Sequence, residues 1–348
     1  MADIELILGN SNKRFSGVTS TMLQVLSVQK DLIPTAVMGP HHLAKDTPVL
    51  NFWQTAKLCR KPLPDGRSRV FHARRNDEMI HALLLKKLFG AKLKIAFTST
   101  AQRHHSGLTK YLISQVDGII STCSAAASYL ERKPDIIVPH GIDESIYTPA
   151  TDKAKAWQEL GYPGKYGIGI FGRVRHQKGI DVLVDAVLPL LEKHPDFTVI
   201  IGGEITPSNK AFVDEQKAKA ENAGVGERLI FIGKQPFERL PVLFRSMSIV
   251  AALSRNEGFG LTVLEAMASG TAVIASEAGA WKDIITDDSL GYCVPCGDVQ
   301  ATREKLDLMM ADPERLLQLG VNGRKHVEQH YTIQREATQL TDYLRSLA

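Results

Sequence analysis

Short strand-like runs alternate with segments of helical periodicity along the whole chain, and this alternation constrains the fold most. In the first half the runs are Ile4–Leu8, Thr35–Met38, Arg69–Ala73, Lys94–Thr98, Gly118–Thr122 and Asp135–Val138. In the second half they are Gly167–Phe171, Thr198–Gly202, Leu229–Gly233, Ile249–Ser254, Ala272–Ser276 and Tyr292–Pro295. Such alternation is typical of parallel sheets covered by helices on both faces. Twelve strands are more than one sheet usually contains. The sequence therefore predicts an α/β protein with two doubly wound, Rossmann-like domains that face each other across a cleft.

The chain has 348 residues, a length that fits two domains. Residues that break helices and strands cluster between 148 and 165, at Pro149, Gly161, Pro163 and Gly164. We therefore predict an N-terminal domain over 1–160 and a C-terminal domain over 161–330. A final helix, about Ile333–Leu347, is expected within 331–348 after a short break at Tyr331-Thr332.

Composition excludes several classes of protein. Apolar residues make up 44% and charged residues 23%, as in ordinary globular proteins. No apolar run approaches the length of a membrane span. The first residues, Met1–Glu5, carry acids where a secretion signal needs basic residues, and four cysteines are too few for a disulfide scaffold. We expect a cytoplasmic protein.

Positive charge is concentrated in the first 150 residues, whereas the remainder is slightly negative. The excess clusters at Lys57, Arg60, Lys61, Arg67, Arg69, Arg74 and Arg75. Either these residues form a solvated face, or they meet an anionic partner such as a phosphorylated or carboxylated acceptor or an acidic membrane surface. We expect no nucleic-acid partner, because the sequence shows no nucleic-acid-binding motif and no aromatic residues interspersed among these basic ones.

A first motif follows the strand that ends at Phe171. Gly172 and Arg173 open the loop, and Lys178 and Gly179 close it before an amphipathic helix. Glycine permits close approach of a ligand to the backbone, and both cations suit phosphate oxygens. Since a helix N-terminus also attracts anions, the loop predicts a diphosphate site; two surface charges beside a turn are the alternative.

A second motif follows the strand that ends at Ser254. Glu257 precedes Gly258-Phe259-Gly260 at the start of a predicted helix, Leu261–Ala268, and Glu265 lies within that helix. One carboxylate at a helix start can accept sugar hydroxyls, and a second about two turns on can hold a ribose diol. The structural alternatives are a helix cap for Glu257 and a solvent-facing position for Glu265.

Together these motifs resemble the donor site of retaining glycosyltransferases of family 4, which have the GT-B fold. The segment Val138-Pro139-His140-Gly141-Ile142-Asp143, with Tyr147 and Pro149, resembles the family's segment ahead of the interdomain linker, although His140 stands where the family usually has Asn. The last helix resembles the one that crosses back onto the N-terminal domain. The resemblance spans nearly the whole chain.

The resemblance implies roles on the donor side. Arg173 and Lys178 would neutralise the leaving nucleoside diphosphate, Glu257 would hold donor-sugar hydroxyls, and Glu265 would bind the ribose. The remaining donor-binding positions would be Gly17, Gly172, Gly258, Phe259, Gly260, Leu261 and Thr262. No metal is expected, because fixed cations oppose the developing charge and no D-x-D pair is present.

Acceptor-side candidates follow strands of the basic domain. They are Arg74, Arg75, Arg103, His104 and His105, for which a solvated surface or packing role is the alternative. Family members often carry a histidine directly after the equivalent of strand Lys94–Thr98, where this chain has Ser99 and Thr100.

Ser99-Thr100-Ala101-Gln102-Arg103, the His140–Asp143 segment and the short length resemble α-proteobacterial lipopolysaccharide core mannosyltransferases. That likeness implies transfer of mannose from GDP-mannose to an inner-core acceptor built on Kdo, an acidic sugar, with peripheral contact to an anionic membrane as a further expectation. Alternatives are a UDP-sugar-dependent transferase acting on another anionic or lipid-linked acceptor, a sugar-nucleotide epimerase, and a silent binding module. The pair Cys293 and Cys296 is interpreted as incidental thiols, since no second pair completes a zinc site.

Overall fold

The computed structural model describes residues 4–348, so the prediction that no secretion signal begins the chain rests partly on residues 1–3, outside that range. The chain divides into two compact units. One runs up to Gly141 and takes in Ile333–Ala348, and the other is Ile142–Thr332.

The first unit is built on a parallel sheet with strand order β3-β2-β1-β4-β5-β6-β7. Its strands are β1 Leu6–Gly9, β2 Thr35–Met38, β3 Val49–Leu50, β4 Arg69–Ala73, β5 Leu93–Ser99, β6 Gly118–Ser121 and β7 Ile136–Ile137. Its helices are α1 Gly17–Leu32, α2 Phe52–Cys59, α3 Asn76–Leu88, α4 Gly107–Ser114, α5 Ser124–Ser128 and α14 Ile333–Leu347.

The central strands of this sheet are buried on both faces, as a doubly wound fold requires. Ile7 of β1 packs in one apolar cluster with Phe71 and Ile95, while Leu6 and Leu8 pack in another on the opposite face. Strand β3 was not predicted. It has two residues and one exposed side chain, which is too short to show a pattern.

The second unit has a parallel sheet of order β10-β9-β8-β11-β12-β13. Its strands are β8 Tyr166–Phe171, β9 Phe197–Gly202, β10 Leu229–Gly233, β11 Ile249–Ala252, β12 Ala272–Ser276 and β13 Tyr292–Val294. Its helices are α6 Lys153–Gln158, α7 Ile180–Lys193, α8 Lys210–Asn222, α9 Leu240–Ser246, α10 Thr262–Ala268, α11 Trp281–Ile284, α12 Val299–Ala311 and α13 Pro313–His330. Two Rossmann-like parallel-sheet units confirm the predicted fold class.

The division between the units lies before the predicted linker, at Gly141/Ile142 instead of 160/161. The physical reason is that the segment after Ile142 packs into the second unit. Trp157 of α6 is buried there, and the Lys153 ammonium donates to the Met247 carbonyl at 2.8 Å and the Thr271 hydroxyl at 2.9 Å.

The last helix, α14, belongs to the first unit. Leu340 and Leu344 pack in the cluster that includes Leu6, and the Gln29 amide of α1 donates to the Thr341 hydroxyl at 3.3 Å. Among residues 4–348, no helix combines the length and the apolar character needed to cross a bilayer.

Candidate active site

The loop after β8 forms the first part of the candidate site. A short 3-10 turn, His176–Lys178, ends at Gly179, whose φ of 70° lies in the left-handed region. A Cβ at Gly179 would lie 2.0 Å from the Leu253 carbonyl oxygen, so only glycine allows the turn to pack against the end of β11. This close contact places Lys178 beside the second predicted motif.

Lys178 and Glu257, predicted separately, form an ion pair in the structure. The Ser254 hydroxyl donates to the same Glu257 oxygen at 3.3 Å. Both side chains of the pair are partly exposed. Gly172, Lys178, Glu257 and Thr262 line one small cavity at the carboxyl ends of β8 and β11, the edge of a parallel sheet where ligands bind.

Arg173 follows Gly172 in the chain and is exposed. Its Nε donates to Glu204 at 3.2 Å, a residue that follows β9. Both side chains are about half exposed, so the pair is weakly held and its guanidinium can exchange partners.

Arg255 joins the two motifs. Its guanidinium donates to both oxygens of Asp181 in α7, at 2.9 and 2.7 Å, and to the His176 carbonyl at 2.6 Å. Burial alone would raise the pKa of Asp181, but the Arg255 hydrogen bonds and charge hold it below its ordinary value. The Gln177 amide adds a bond to the Asn256 carbonyl at 3.0 Å. These contacts fix the Lys178 turn against the Glu257 loop.

Glu265 is half-buried, contrary to a solvent-facing position. The Tyr147 hydroxyl donates to its Oε1 at 3.0 Å. Burial raises the pKa of Glu265 to about 7, although the Tyr147 bond acts in the opposite direction. Burial and the neighbouring carboxylate also raise the pKa of Tyr147. The group is therefore poised between its acid and carboxylate forms near neutral pH.

The glycine-rich loop between Glu257 and α10 is held by its own packing. Phe259 is buried, and its carbonyl accepts from the Ala280 amide at 2.9 Å. Gly260 has a φ of 86°, and its carbonyl accepts from the Trp281 indole at 2.8 Å. A Cβ at Gly260 would lie 2.4 Å from the indole nitrogen, so the loop can take this path only with glycine.

In the first unit, Gly17 begins α1 and Ser16 caps it. No atom lies within 4 Å of a Cβ built at Gly17, so packing does not require glycine there. Arg75 donates to Glu78 at 3.0 Å and to the hydroxyls of Ser16 and Thr19 at 3.1 and 3.0 Å. Arg75 thus ties the start of α1 to α3, and its predicted acceptor contact stays a prediction.

Arg74 has a buried guanidinium. Burial lowers its pKa, while the charges of Glu78 and Glu336 oppose that effect. Glu336 of α14 accepts from His140 Nδ1 at 2.7 Å and from the Gly141 amide at 2.7 Å. His140, at the position where the family usually has Asn, therefore anchors the last helix, and Arg74 stabilises the same buried charge. Its predicted acceptor contact stays a prediction.

The remaining acceptor candidates lie after β5. Arg103 and His104 are exposed, and the His104 ring packs edge-on against Tyr129 at 5.3 Å. His105 lies 3.5 Å from the Ser99 hydroxyl, and burial, with the charges of Arg103 and Lys110, lowers its pKa. No contact distinguishes which of the three meets an acceptor.

Within residues 4–348, no group of three or more His, Cys, Asp or Glu side chains is arranged to hold a metal ion. Cys293 and Cys296 are free thiols. Burial raises the pKa of Cys293 to about 11, which makes it unreactive at neutral pH, whereas Cys296 is exposed.

Sequence reasoning missed Glu204, Asp181 and Arg255. Each is a common surface residue type outside the glycine-rich motifs, so its sequence context carried no signal. Tyr147 was noticed only as part of the linker-like segment. A hydroxyl 118 residues away from its partner carboxylate cannot be found by spacing.

Lys178 and Glu257 thus meet at the carboxyl edge of the second unit's sheet, and Arg173 lies in the same loop as Lys178. The family model for glycosyl transferases group 1 matches residues 152–326, and the chain belongs to this family. It is 40% identical over 346 residues to the lipopolysaccharide core biosynthesis mannosyltransferase LpcC of Rhizobium leguminosarum bv. viciae, covering 99% of this chain and 97% of that protein.

A second relative is the lipopolysaccharide core biosynthesis mannosyltransferase LpsB of Rhizobium meliloti (strain 1021). It is 39% identical over 350 residues, covering 99% of this chain and 98% of the relative. Among solved structures, Anabaena Alr3699/HepE in complex with UDP is similar with a TM-score of 0.83 and 17% identity, covering 98% of this chain and 100% of that one. These matches confirm the predicted family, and the last confirms the GT-B-like fold.

Proposed function

We propose that this glycosyltransferase moves mannose from GDP-mannose to a lipopolysaccharide inner-core acceptor that contains Kdo. The observation that carries the proposal is the 40% identity, over nearly the full length of both chains, to a lipopolysaccharide core mannosyltransferase. The concentration of positive charge in the first 150 residues fits an acceptor that is acidic and lipid-linked.

On the donor side, Lys178 and Arg173 take the diphosphate. An ammonium group has three N–H donors, so Lys178 can keep one bond to Glu257 while it binds phosphate oxygens. Arg173 exchanges its exposed Glu204 partner for phosphate. Fixed cations aimed at the leaving group stabilise the charge that develops there, and we propose that no metal ion is needed.

The two carboxylates hold the sugar and the ribose. Glu257 accepts donor-sugar hydroxyls from beside the diphosphate, and Glu265 accepts ribose hydroxyls through the oxygen that Tyr147 does not use. Gly17, at the open start of α1, stays a predicted donor-binding position. The backbone of Gly172 and of Gly258–Thr262 completes the donor site.

The transfer proceeds with retention of the anomeric configuration. The bond between the anomeric carbon and the diphosphate oxygen breaks, and the acceptor hydroxyl attacks the same face. Its proton passes to a donor phosphate oxygen. Arg173 and Lys178 stabilise the negative charge on the diphosphate during this step.

Binding of nucleotides tests the donor assignment. In EDTA, GDP at about 100 times its Kd should stabilise the protein by about 2.7 kcal/mol, seen as a rise in Tm. UDP and ADP should give smaller shifts. A shift with UDP alone would assign the donor to a UDP-sugar, and no shift with any of them would contradict the donor site.

Variants test the residues. Arg173→Ala and Lys178→Ala should each lower kcat by about 10²–10³ with unchanged Tm, because each removes a donor to the leaving group. Lys325→Ala, on α13 of the same unit, is an exposed-lysine control. Near-normal turnover by either site variant would overturn its role. Turnover of donor alone without acceptor, to an epimerised product, would instead identify an epimerase.

A further inference from the structure

The helix layer α2–α3–α4 on one face of the first unit's sheet carries an exposed apolar crest. Along α3 the exposed apolar residues are Ile80, Leu84 and Leu88, each one turn from the next, and Leu88 is 71% exposed. A globular helix normally keeps this stripe buried and its polar face outward. Helix α3 does bury Met79, Ala82 and Leu83 in the core, but it carries this second apolar stripe on its outer side.

The flanking helices extend the crest. Phe52 of α2 packs against His81 at 6.1 Å, and Trp53, which is 66% exposed, contacts Phe89 at the end of α3 with ring centroids 5.3 Å apart. On the other side, Asn76 donates to Thr109 of α4 at 2.8 Å.

Lys87 of α3 also donates to Gln115 directly after α4, at 2.7 Å, so the two helices lie side by side. Leu108 and Tyr111 of α4 are 59% and 58% exposed. The crest therefore consists of Trp53, Ile80, Leu84, Leu88, Leu108 and Tyr111.

Positive charge borders the crest at the end of α2, whereas on the side of α3 and α4 the cations Lys86 and Lys110 are paired with Asp117 and Glu131. The sequence holds no Asp or Glu between Asp46 and Asp65, nor between Glu78 and Asp117. Lys57 is one turn from Trp53 on α2, and Arg60 follows it at the end of that helix. The Lys92 amide donates to the Cys59 carbonyl at 2.6 Å, which brings the exposed Lys92 to the same end of α2.

We infer that the crest and its basic border form a membrane-docking face that binds an anionic lipid bilayer. An apolar stripe with an exposed Trp, bordered by Lys and Arg, is the pattern that lies in the interfacial region of a membrane. The cations meet acidic headgroups while the apolar side chains enter the acyl boundary. A lipid-linked acceptor would then be presented to the same unit, which is the only part of this inference that rests on the proposed function.

Charge distinguishes a bilayer from other occupants. A second copy of the chain docked through this face would set one basic border against another, which is unfavourable. A nucleic acid would bind the cations but leave the apolar crest exposed to water, since its outer surface is a row of phosphates. An anionic bilayer satisfies both the apolar crest and the basic border.

Sedimentation with vesicles tests the inference without donor or acceptor. The whole chain should bind phosphatidylglycerol-rich vesicles, bind phosphatidylcholine vesicles weakly, and bind the former less as salt rises. Lys57→Glu with Arg60→Glu should weaken binding more than about twentyfold, at about fivefold per lost cation. Trp53→Gln with Leu88→Gln should weaken it at least about tenfold through lost apolar contact.

Matched controls lie on the second unit. Leu308→Gln replaces an exposed leucine there, and Lys210→Glu with Lys325→Glu reverses two exposed cations. Both controls should bind vesicles like the parent chain. The crest variants should keep the parent Tm and nucleotide-dependent stabilisation, which separates loss of docking from loss of fold or donor binding.

Four outcomes would overturn the inference. The docking face would be refuted if the chain bound neutral and anionic vesicles equally, or if the control variants weakened binding as much as the crest variants. Concentration-dependent self-association that Trp53→Gln abolishes would assign the face to a second copy. Salt-sensitive binding of RNA in preference to vesicles, lost in the Lys57→Glu and Arg60→Glu variant, would assign it to nucleic acid.

Discussion

Replacing Tyr147 with Phe removes one hydroxyl and keeps the ring that packs edge-on against Phe244 at 5.7 Å. The hydroxyl donates to Glu265 at 3.0 Å and opposes the effect of burial, which raises the pKa of that carboxyl to about 7. A hydrogen bond to a charged group contributes about 1.5–3 kcal/mol. At about 1.4 kcal/mol per pKa unit, its loss should raise the pKa of Glu265 by about one to two units.

The consequence is a shift in the pH dependence of nucleotide binding. Ribose hydroxyls bind best to the ionised carboxylate, so affinity for GDP should fall as pH drops through about 7 in the parent chain. In Tyr147→Phe this midpoint should move up to about 8–9, and affinity at neutral pH should be about five- to fiftyfold weaker. Isothermal titration with GDP between about pH 6 and 9 measures both quantities.

Tyr166→Phe is the matched control, because its ring packs against Phe197 in the same unit, away from Glu265. It should leave the midpoint unchanged. An unshifted midpoint in Tyr147→Phe would refute the assignment of Glu265 to the ribose. Weaker binding that is the same at every pH would show that the hydroxyl acts by packing and not through the carboxylate.

Three further variants test the framework of the site. Arg255→Ala leaves the half-buried Asp181 without its bidentate partner, so we expect the free energy of unfolding by urea to fall by about 1–3 kcal/mol and kcat to fall at least tenfold. Arg255→Lys should recover part of both losses. An unchanged kcat in Arg255→Ala would contradict the positioning role. Glu336→Gln removes the buried charge that His140 contacts and should cost about 3–5 kcal/mol by denaturant titration, with a loss under about 1 kcal/mol counting against it. Gly260→Ala must move the loop, because a Cβ would lie 2.4 Å from the Trp281 indole nitrogen. GDP should then raise the Tm of the variant less than that of the parent chain. An equal rise in Tm would show that the loop is not part of the donor site.

Much of the fold could be predicted because parallel strands buried on both faces are continuous apolar runs that turn residues delimit. Runs such as Arg69–Ala73 and Ala272–Ser276 have the predicted bounds in the structure. Strand β3 was not predicted, because two residues are too few to show the alternation of a strand. The unit boundary was placed too late because breaker residues mark loops, whereas packing of Trp157 decides which unit a segment joins.

The candidate site could be predicted in part. Lys178 and Glu257 follow neighbouring strands of a parallel sheet, so the sequence placed them at one edge, and the structure brings them into contact. Their supports could not be predicted. Arg255 and Asp181 are separated along the chain and meet only when the two loops pack, and Glu204 reaches Arg173 from a third strand.

The partial burial of Arg74 and of Glu265 could not be predicted from the sequence either. Both are residue types that are mostly exposed. In this chain the Arg74 guanidinium is offset by the charges of Glu78 and Glu336, and the Glu265 carboxyl by a hydroxyl from a distant segment. Charge compensation of this kind depends on tertiary contacts and leaves no local pattern.

The most direct measurement of the proposed activity is a transfer assay with purified protein in EDTA, with GDP-mannose and a Kdo-containing acceptor. We predict a mannosylated product whose new linkage keeps the α configuration of the donor by proton NMR, and a rate about 10²–10³ lower for Lys178→Ala. A product of inverted configuration, or transfer from UDP-glucose but not from GDP-mannose, would contradict it.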